Sequence, residues 1–377
     1  MHLTFGLIGL CGRVACMALV LNVTSALSEV QQAPTGVAPS TAVAAVPVIE
    51  VPASVESVDV NDQGDAADDA EIWRNTKTPT DSRVFATDKK SGLFVLDLDG
   101  KALQQFPIGR LNNVDLRTTW QLADGTGKPK VLIAASDRTR LGISFFLLDP
   151  ETLTVTHAES SFVATNVGDP YGMCLYYRSA GNAHFAFVTG KDGSVEQYEL
   201  RPGPSNAIQA TLVRRFEVGS IAEGCVIDDR NGNLYIAEEL KGIWRYSADP
   251  QTGGTRTQIA GVDGNELVAD VEGLTLAAEG DSGGYLIASA QGNNTFAFFS
   301  LPGHALIARL RIAANAEAGI DEVTGTVGIA VATGEFGPAF PGGIFVVQDD
   351  INEGGKAQNF KFVSLTRILE KLQTLQR

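Results

Sequence analysis

A repeat of about 50 residues constrains the fold of this chain more than any other feature. Six short runs rich in β-branched, aromatic and small apolar residues each end in a small or polar residue before a turn, at 84–87, 132–136, 185–189, 234–238, 285–289 and 344–348. Taking Ala86, Ala135, Val188, Ala237, Ala288 and Val347 as equivalent, the spacings are 49, 53, 49, 51 and 59 residues. This period, with several strands in each unit, is typical of propeller blades.

A second apolar run follows in most units, at 92–96, 143–147, 195–199, 242–246 and 295–299. Amphipathic helices of 10–15 residues do not alternate with these runs, which disfavours a parallel α/β sheet. The pattern predicts an all-β fold, a six-bladed β-propeller with four-stranded antiparallel blades around a central channel. One short C-terminal helix is predicted to pack on the rim, because Leu365, Ile368, Leu369, Leu372 and Leu375 follow helical spacing.

The N-terminal region predicts export. Arg13 precedes the apolar run 14–21 and small residues follow at 24–26, so residues 1–28 are predicted to be a signal peptide. Residues 29–50 are rich in Ala, Pro, Val, Thr and Ser and are predicted to be a flexible linker to a propeller domain at 51–377. The expected location is periplasmic or extracellular. Cleavage near Ala26 leaves Cys174 and Cys225, and both a disulfide and two buried free thiols are consistent with the sequence.

The charge of the chain limits its partners. The formal net charge is −15, so binding to nucleic acid or to an anionic membrane is not expected. An anionic substrate would need bound cations to invert the local field.

The loops after the repeated runs carry the polar residues. They contain Asp88-Lys89-Lys90, Asp137-Arg138, Gly190-Lys191-Asp192, Glu238-Glu239, Gln291 and Asp349. Further carboxylates occur in Asp65–Glu71 and in Asp270-Val271-Glu272. Loops from every blade meet at one mouth of a propeller channel. Lys and Arg suit phosphate oxygens, whereas carboxylates and a Gln carbonyl suit calcium. The mouth is therefore predicted to hold a phosphorylated substrate partly through metal ions.

These motifs, in this order, resemble those of the β-propeller phytases. The matching stretches are DAADDAEIW (65–73), TDKKSGL (87–93), GRLNNVDLR (109–117), YG (171–172), VTGKDG (188–193), EQYEL (196–200), AEG (222–224), LYIAEE (234–239), DVEGLT (270–275), QGN (291–293) and VQD (347–349). The resemblance runs from about residue 51 to the C-terminus. It implies a secreted enzyme that hydrolyses phosphomonoesters of myo-inositol hexakisphosphate (phytate) by metal-activated water. The implied cofactor is several Ca²⁺ ions, and phytate is the expected partner, bound as a calcium complex by a monomer.

The resemblance also assigns roles to residues. It implies that Glu239 orients or deprotonates the attacking water and that Lys89, Arg138, Tyr171 and Lys191 hold the scissile phosphate. It implies that Lys90 contacts an adjacent phosphate. The implied metal ligands are Glu56, Asp68, Asp69, Glu223, Asp270, Glu272, Gln291 and Asn359. Asn112, Asn113 and Asp115 are expected to cap turns and brace a blade, without touching the substrate.

The chain departs from the family pattern between the fifth and sixth blades. Val327 and Ala330 stand where carboxylates are expected, and valine does not coordinate calcium. One structural calcium site is therefore expected to be weak or absent unless Asp321 or Glu322 substitutes, with Asp349, Asn352 and Asn359 as remaining partial ligands. The expected consequence is lower calcium-dependent stability, with the cleavage chemistry retained.

Two alternative functions stay open from the sequence. One is a weak or inactive propeller that binds inositol phosphates or calcium. The other is a propeller lactonase-like calcium hydrolase, although such an enzyme has no need of Lys89, Lys90, Arg138 and Lys191 together.

Overall fold

The computed structural model describes residues 46–123, 125, 128–264 and 267–375. The predicted signal peptide and most of the predicted linker lie outside these residues. In chain order the strands are β1 (Val48–Pro52), β2 (Val55–Glu56), β3 (Ala67–Trp73), β4 (Arg83–Asp88), β5 (Gly92–Leu96), β6 (Ala102–Phe106), β7 (Leu111–Trp120), β8 (Lys130–Asp137), β9 (Gly142–Leu148), β10 (Val155–His157), β11 (Val163–Ala164), β12 (Pro170–Arg178), β13 (Ala183–Gly190), β14 (Ser194–Pro202), β15 (Ile208–Glu217), β16 (Ala222–Asp228), β17 (Asn233–Glu238), β18 (Gly242–Ser247), β19 (Arg256–Gly261), β20 (Val271–Glu279), β21 (Gly283–Ala290), β22 (Thr295–Ser300), β23 (Leu306–Ala313), β24 (Ile329–Thr333), β25 (Gly343–Asp349) and β26 (Asn359–Ser364).

The described strands form six sheets, which are the six predicted blades. Their orders are β3-β4-β5-β6, β7-β8-β9-β10, β12-β13-β14-β15, β16-β17-β18-β19, β20-β21-β22-β23 and β24-β25-β26-β2. Within each blade the strands pair antiparallel. Short β11 pairs with β9, and β1 adds to the outer edge of the fifth blade as a parallel strand. The predicted six-bladed β-propeller is confirmed.

The ring of blades is closed by the first strands and by the N-terminal segment. Each first strand contacts the first strand of the next blade, and β24 contacts β3. The outermost strand of the sixth blade is β2, which pairs with β26 at Val55↔Phe362 and Glu56↔Lys361. The last blade is therefore completed by residues about 300 positions away in sequence, which joins the two ends of the described chain.

Burial on both faces of a blade explains why the repeated runs are continuously apolar. In β4, Val84 and Ala86 pack into the cluster shared with the sixth blade, whereas Phe85 packs into the cluster shared with the second blade. Successive side chains of a strand point to opposite faces, so both sets must be apolar.

The predicted C-terminal helix is also confirmed. Helix α1 (Leu365–Leu375) buries Leu365, Ile368 and Leu372 in the cluster formed by the fifth and sixth blades and β1. Nowhere in the described residues is there a helix whose length and apolarity suffice for a membrane crossing.

Cys174 and Cys225 form a disulfide between neighbouring blades, which resolves the alternative that the sequence left open. Cys174 lies in β12 and Cys225 in β16, the first strands of the third and fourth blades. The bond closes a loop with a sequence separation of 51 residues.

Replacing both cysteines with alanine is expected to lower the free energy of unfolding by about 2–5 kcal/mol, because the unfolded chain regains loop entropy. Urea unfolding of the oxidised protein and of the variant measures the difference. A reductant should destabilise the parent protein and leave the variant unchanged. Equal midpoints for the two proteins would contradict a stabilising disulfide.

Candidate active site

Each of the first five blades has an irregularity at the same point of its first strand. The pairing register shifts between Ala67 and Ala70, Leu111 and Val114, Pro170 and Met173, Ala222 and Cys225, and Val271 and Leu274. Each shift leaves two residues outside the ladder, as in a β-bulge, and bulges of this kind re-aim side chains next to functional sites. In the sixth blade, Val327-Gly328 occupies the equivalent position directly before β24, where Ile329 pairs with Val347.

The first residue of each pair defines a set that we call the bulge ring. Its members, from blade one to blade six, are Asp68, Asn112, Tyr171, Glu223, Glu272 and Val327. Close backbone packing fixes this ring. A Cβ on Gly172 would lie 1.9 Å from the carbonyl oxygen of Glu223, and one on Gly224 would lie 2.0 Å from that of Glu272. Only glycine lets neighbouring bulges approach this closely.

Hydroxyl groups from the second strands join the bulges of adjacent blades. The Oγ of Ser136 donates to the carbonyl oxygen of Tyr171 at 2.6 Å, and the Oγ1 of Thr189 donates to that of Ala222 at 2.6 Å. Thr87 makes the corresponding bond to the carbonyl of Asn112. These bonds tie the backbone of one blade's bulge to the second strand of the blade before it.

The first residue after each second strand defines a second set, the turn ring. Its members, in blade order, are Lys89, Arg138, Lys191, Glu239, Gln291 and Asp350. The sequence prediction included the first five and missed Asp350, because it took Asp349 as the polar residue of this loop. The structure also corrects one alignment. Ile236 pairs with Cys225 as Ala86 pairs with Ala70, so Ile236 is the fourth-blade equivalent, in place of Ala237.

Blades one to three contribute positive charge. Arg138 forms a two-point ion pair with Asp169, with Nε–Oδ1 and Nη2–Oδ2 distances of 3.0 and 2.5 Å. Lys191 Nζ lies 4.2 Å from the centre of the Tyr171 ring, and the Arg138 guanidinium lies 5.6 Å from it. Lys89 Nζ contacts Asp68 Oδ1 at 3.0 Å and Asp65 Oδ1 at 2.6 Å. We call Lys89, Arg138 and Lys191 the cationic arc.

Blades four and five contribute carboxylates that lie unusually close together. Glu223, Glu239 and Glu272 each present one oxygen within 4.8 Å of the others. Asn112 connects the two sides: its Nδ2 donates to Glu223 Oε1 at 2.7 Å, and its Oδ1 accepts from Arg138 Nη1 at 3.2 Å. Asn112, which the sequence analysis expected to brace a blade, thus joins a guanidinium of its own blade to a carboxylate of the fourth blade.

Burial and neighbouring negative charges raise the pKa values of several of these groups. Burial raises the pKa of Glu272 well above its usual range, and the neighbouring charge of Glu223 raises it further. Burial also raises the pKa of Asp68 to about 7, although Lys89 opposes the shift. The pKa of Glu239 rises through burial and the charge of Asp270. The pKa of the Tyr171 phenol also rises, because burial and the charge of Glu223 disfavour ionisation.

Several of these oxygens fit a metal ion. Oδ2 of Asp68, Oε2 of Glu223 and Oε2 of Glu272 are buried without a hydrogen-bond partner among the described residues, whereas Oδ1 of Asp68 pairs with Lys89. A buried carboxylate oxygen without a partner costs free energy, which a bound cation would offset. Carboxylate and amide oxygens are the ligands that calcium prefers.

A cavity of about 490 Å³ opens between the two sides. Its lining is Asp65, Lys89, Tyr171, Glu239, Asp270, Glu272, Gln291, Gly325, Val327, Asp350 and Gln358. Most side chains predicted for the site therefore converge on this cavity or on its immediate neighbours.

Val327 is one of the lining residues, so the position at which the sequence lacks an expected carboxylate lies at the mouth of the channel. The backbone N–H of Val327 donates to Gln348 Oε1 at 3.0 Å, and the backbone N–H of the following Gly328 donates to the carbonyl oxygen of Asp68. The loss of a carboxylate at this position therefore affects the mouth of the channel.

The remaining predicted residues lie apart from the cavity lining. Lys90 Nζ donates to the backbone carbonyl of Gln63, beside the cavity. Asp69 Oδ2 accepts from the backbone N of Val114 at 3.1 Å and so joins the first two blades. Glu56 and Asn359 lie on the paired strands β2 and β26.

Glu56 belongs to a cluster around the ammonium group of Lys361, whose side chain is 0% exposed. Lys361 Nζ contacts Glu56 Oε2 at 3.3 Å, Asp349 Oδ2 at 2.6 Å and Asn352 Oδ1 at 3.0 Å, and it also pairs with Asp321. Three of the residues that the sequence offered as partial calcium ligands, Asp321, Asp349 and Asn352, thus surround a lysine in this structure.

Comparison with known proteins finds similarity in sequence and in fold. The sequence model of the family described as "Phytase" matches residues 17–376. The 3-phytase of Bacillus subtilis (strain 168) is 40% identical over 331 residues, which cover 86% of this chain and 85% of that protein. The β-propeller domain of Cps50 (Swd1) from Myceliophteria thermophila matches with a TM-score of 0.45 and 11% identity, over 79% of this chain and 84% of that chain. This last likeness is too weak to support an inference.

Proposed function

The chain belongs to the phytase family, and we propose that the mouth of its propeller hydrolyses phosphomonoesters of phytate with the help of calcium. The observation that carries the proposal is the division of the turn ring into a positively charged half and a half that carries carboxylate and amide oxygens. Blades one to three present Lys89, Arg138 and Lys191, whereas blades four to six present Glu239, Gln291 and Asp350. One half of the mouth therefore suits phosphate oxygens and the other half suits a cation.

The cationic arc binds and orients the scissile phosphate. Arg138 is held by Asp169 and Asn112, so its planar group is pre-positioned, and such a fork recognises two phosphate oxygens at once. Lys89 and Lys191 approach from the neighbouring blades as point charges. The Tyr171 phenol, whose ring lies beside Lys191 and Arg138, stays protonated and can donate a hydrogen bond.

Calcium would be held by Asp68 of the first blade together with Glu223, Asp270, Glu272 and Gln291 of the acidic side. Bound calcium supplies positive charge and Lewis acidity toward phosphate oxygens and water. Unpartnered oxygens on Asp68, Glu223 and Glu272 support this assignment, and the distribution of carboxylates over blades one, four and five supports more than one ion. Because both the protein and phytate are strongly anionic, the cations also reduce the repulsion between them.

Glu239 is the residue that orients the attacking water and accepts its proton. It lines the cavity beside Asp270 and Glu272, and burial raises its pKa. A carboxylate with a raised pKa is a better proton acceptor near neutral pH than an exposed one. The positive charges of the cationic arc stabilise the charge that develops on the phosphate oxygens in the transition state.

Release of inorganic phosphate from phytate, with calcium varied from an excess of chelator to about millimolar, tests the proposal. Release that requires calcium is expected. Calcium-dependent binding of phytate without release would favour the binding-only propeller, and hydrolysis of lactones without phosphate release would favour the lactonase-like enzyme.

Replacing Arg138 with Lys is expected to lower kcat/KM for phytate by about 10–100-fold. Lysine keeps the charge but loses the second hydrogen bond, and charged hydrogen bonds contribute about 1.5–3 kcal/mol each. The control is Arg140→Lys on the same turn, where the guanidinium stacks on Phe162 outside the cavity. Equal losses in the two variants would show that Arg138 has no specific role.

We propose that the protein is exported and acts as a monomer in the periplasm or outside the cell. The predicted signal segment 1–28 and linker 29–50 precede the propeller, and the Cys174–Cys225 disulfide is consistent with an oxidising compartment.

A further inference from the structure

Asp350 occupies the sixth position of the turn ring, where the other blades carry residues assigned to the site. It is the first residue after β25, as Lys89 is after β4 and Glu239 is after β17. It lines the same cavity as Glu239, Asp270, Glu272 and Gln291. Since the blades are arranged around one channel, the same position in each blade faces the same mouth.

The neighbourhood of Asp350 is built to hold its carboxylate in place. Buried Gln358 accepts the backbone N–H of Ala66 at 2.6 Å through Oε1 and donates to Asp350 Oδ1 through Nε2. The backbone N of Asp350 donates to the carbonyl of Thr324 at 3.0 Å. Asp350 is therefore linked both to the first blade and to the turn that contains Val327.

The side chain of Asp350 lies against this turn. A Cβ on Gly325 would lie 2.6 Å from the Cβ of Asp350 and 2.8 Å from its Oδ2, and Gly325 has a φ of +52°. Glycine at this position leaves room for the carboxylate beside the apolar side chain of Val327. The bulge ring lacks an oxygen at Val327, and the turn ring provides one from the same blade.

A second observation points to a ligand. Glu272, which is only 4% exposed and lines the same cavity, has an Oε2 without a hydrogen-bond partner in the described part of the chain. This oxygen and the carboxylate of Asp350 belong to adjacent blades. A calcium ion coordinated between them would satisfy both through oxygen ligands.

We propose that Asp350 is a calcium ligand at the mouth of the channel and that it replaces the carboxylate that Val327 does not provide. This inference rests on the proposed function, because it assigns one more residue to the same calcium-dependent site. It makes Asp350 a residue that determines calcium affinity.

Calorimetric titration of calcium into the substrate-free protein tests this directly. In Asp350→Asn the hydrogen bond from Gln358 is retained and the charge is lost, so calcium affinity should fall by about tenfold or more. Asp99→Asn removes one exposed charge from a turn outside the cavity and should leave the affinity unchanged. The double variant Val327→Asp/Asp350→Asn should recover most of the lost affinity, because the carboxylate returns on the neighbouring turn.

The calcium concentration that gives half-maximal phosphate release should rise in parallel in Asp350→Asn. The inference is overturned if Asp350→Asn binds calcium as tightly as the parent protein. Failure of the proposed function looks different: the parent protein then releases no phosphate, while calorimetry still reports whether Asp350 affects calcium binding. Thermal unfolding in chelator verifies that the variants are folded.

Discussion

Replacing Glu272 with Gln is expected to lower phosphate release from phytate by about 10²–10³-fold or more, while the protein remains folded. Glu272 has an oxygen within 4.8 Å of oxygens of Glu223 and Glu239, and removing its charge would weaken the proposed cation site from which the reaction would draw its electrostatic stabilisation. The substitution preserves the shape of the side chain. A large loss of activity therefore reports on charge and coordination.

Stability without calcium distinguishes this role from a structural one. In the absence of a cation, the Glu272 carboxylate is buried next to Glu223, and both burial and this charge raise its pKa. The neutral amide removes that repulsion, so Glu272→Gln is expected to unfold in chelator at a temperature equal to or above that of the parent protein. Calcium should raise the unfolding temperature of the parent protein more than that of the variant.

The matched control is Glu279→Gln, at the exposed far end of the same strand β20. This variant should keep full activity and the full response to calcium. Glu272→Gln with normal activity, or with a large loss of stability in chelator, would contradict the role assigned to Glu272.

Replacing Lys361 with Met is expected to lower the free energy of unfolding by about 3–5 kcal/mol. The ammonium group is fully buried and holds Glu56, Asp321 and Asp349 together across β2, β25 and the loop before β24. Methionine nearly preserves the volume but leaves Asp321 and Asp349 without their cation and Glu56 with only the exposed Lys356. The closure of the sixth blade by β2 should weaken most, because Glu56 supplies the contact from that strand.

Lys356→Met provides the matched comparison. Lys356 also pairs with Glu56, at 3.4 Å, but its side chain is 55% exposed. A pair of this kind contributes about 0–1 kcal/mol, so Lys356→Met should unfold like the parent protein. Urea unfolding in chelator measures both variants, and similar effects would show that burial of Lys361 is not what stabilises the blade. Recovery of Lys361→Met by added calcium would support the predicted ligands Glu56 and Asn359.

The fold was predictable because the repeat is physically simple. The second strand of each blade is buried on both faces, so it appears in the sequence as a short apolar run. Turns recur at the blade period. Burial on both faces also explains why the alignment of the repeats chose Ala237 in the fourth blade, one residue away from the true equivalent, Ile236. Ile236 and Ala237 are both apolar and both buried, so the run itself contains no signal for which of them faces a given neighbour.

The parts of the site that the sequence did not predict depend on pairing between distant segments. Asp350 follows another aspartate, and only the end of β25 shows that it, not Asp349, holds the turn-ring position. Lys361 alternates with Phe360 and Phe362 and therefore resembles a solvent-facing residue of an edge strand. It is buried because β2, about 300 residues earlier, covers β26. The link from Asn112 to Arg138 and Glu223 likewise joins the second blade to the fourth.

The most direct test of the account is the binding of myo-inositol hexasulfate, a non-hydrolysable polyanion, measured by calorimetry in chelator and in calcium. The account predicts that calcium strengthens this binding by about tenfold or more, and that the analogue strengthens calcium binding by the same factor, because the cation lies between two anionic partners. Equal affinity in chelator and in calcium would show that the cationic arc binds the substrate alone and would contradict the bridging role of calcium.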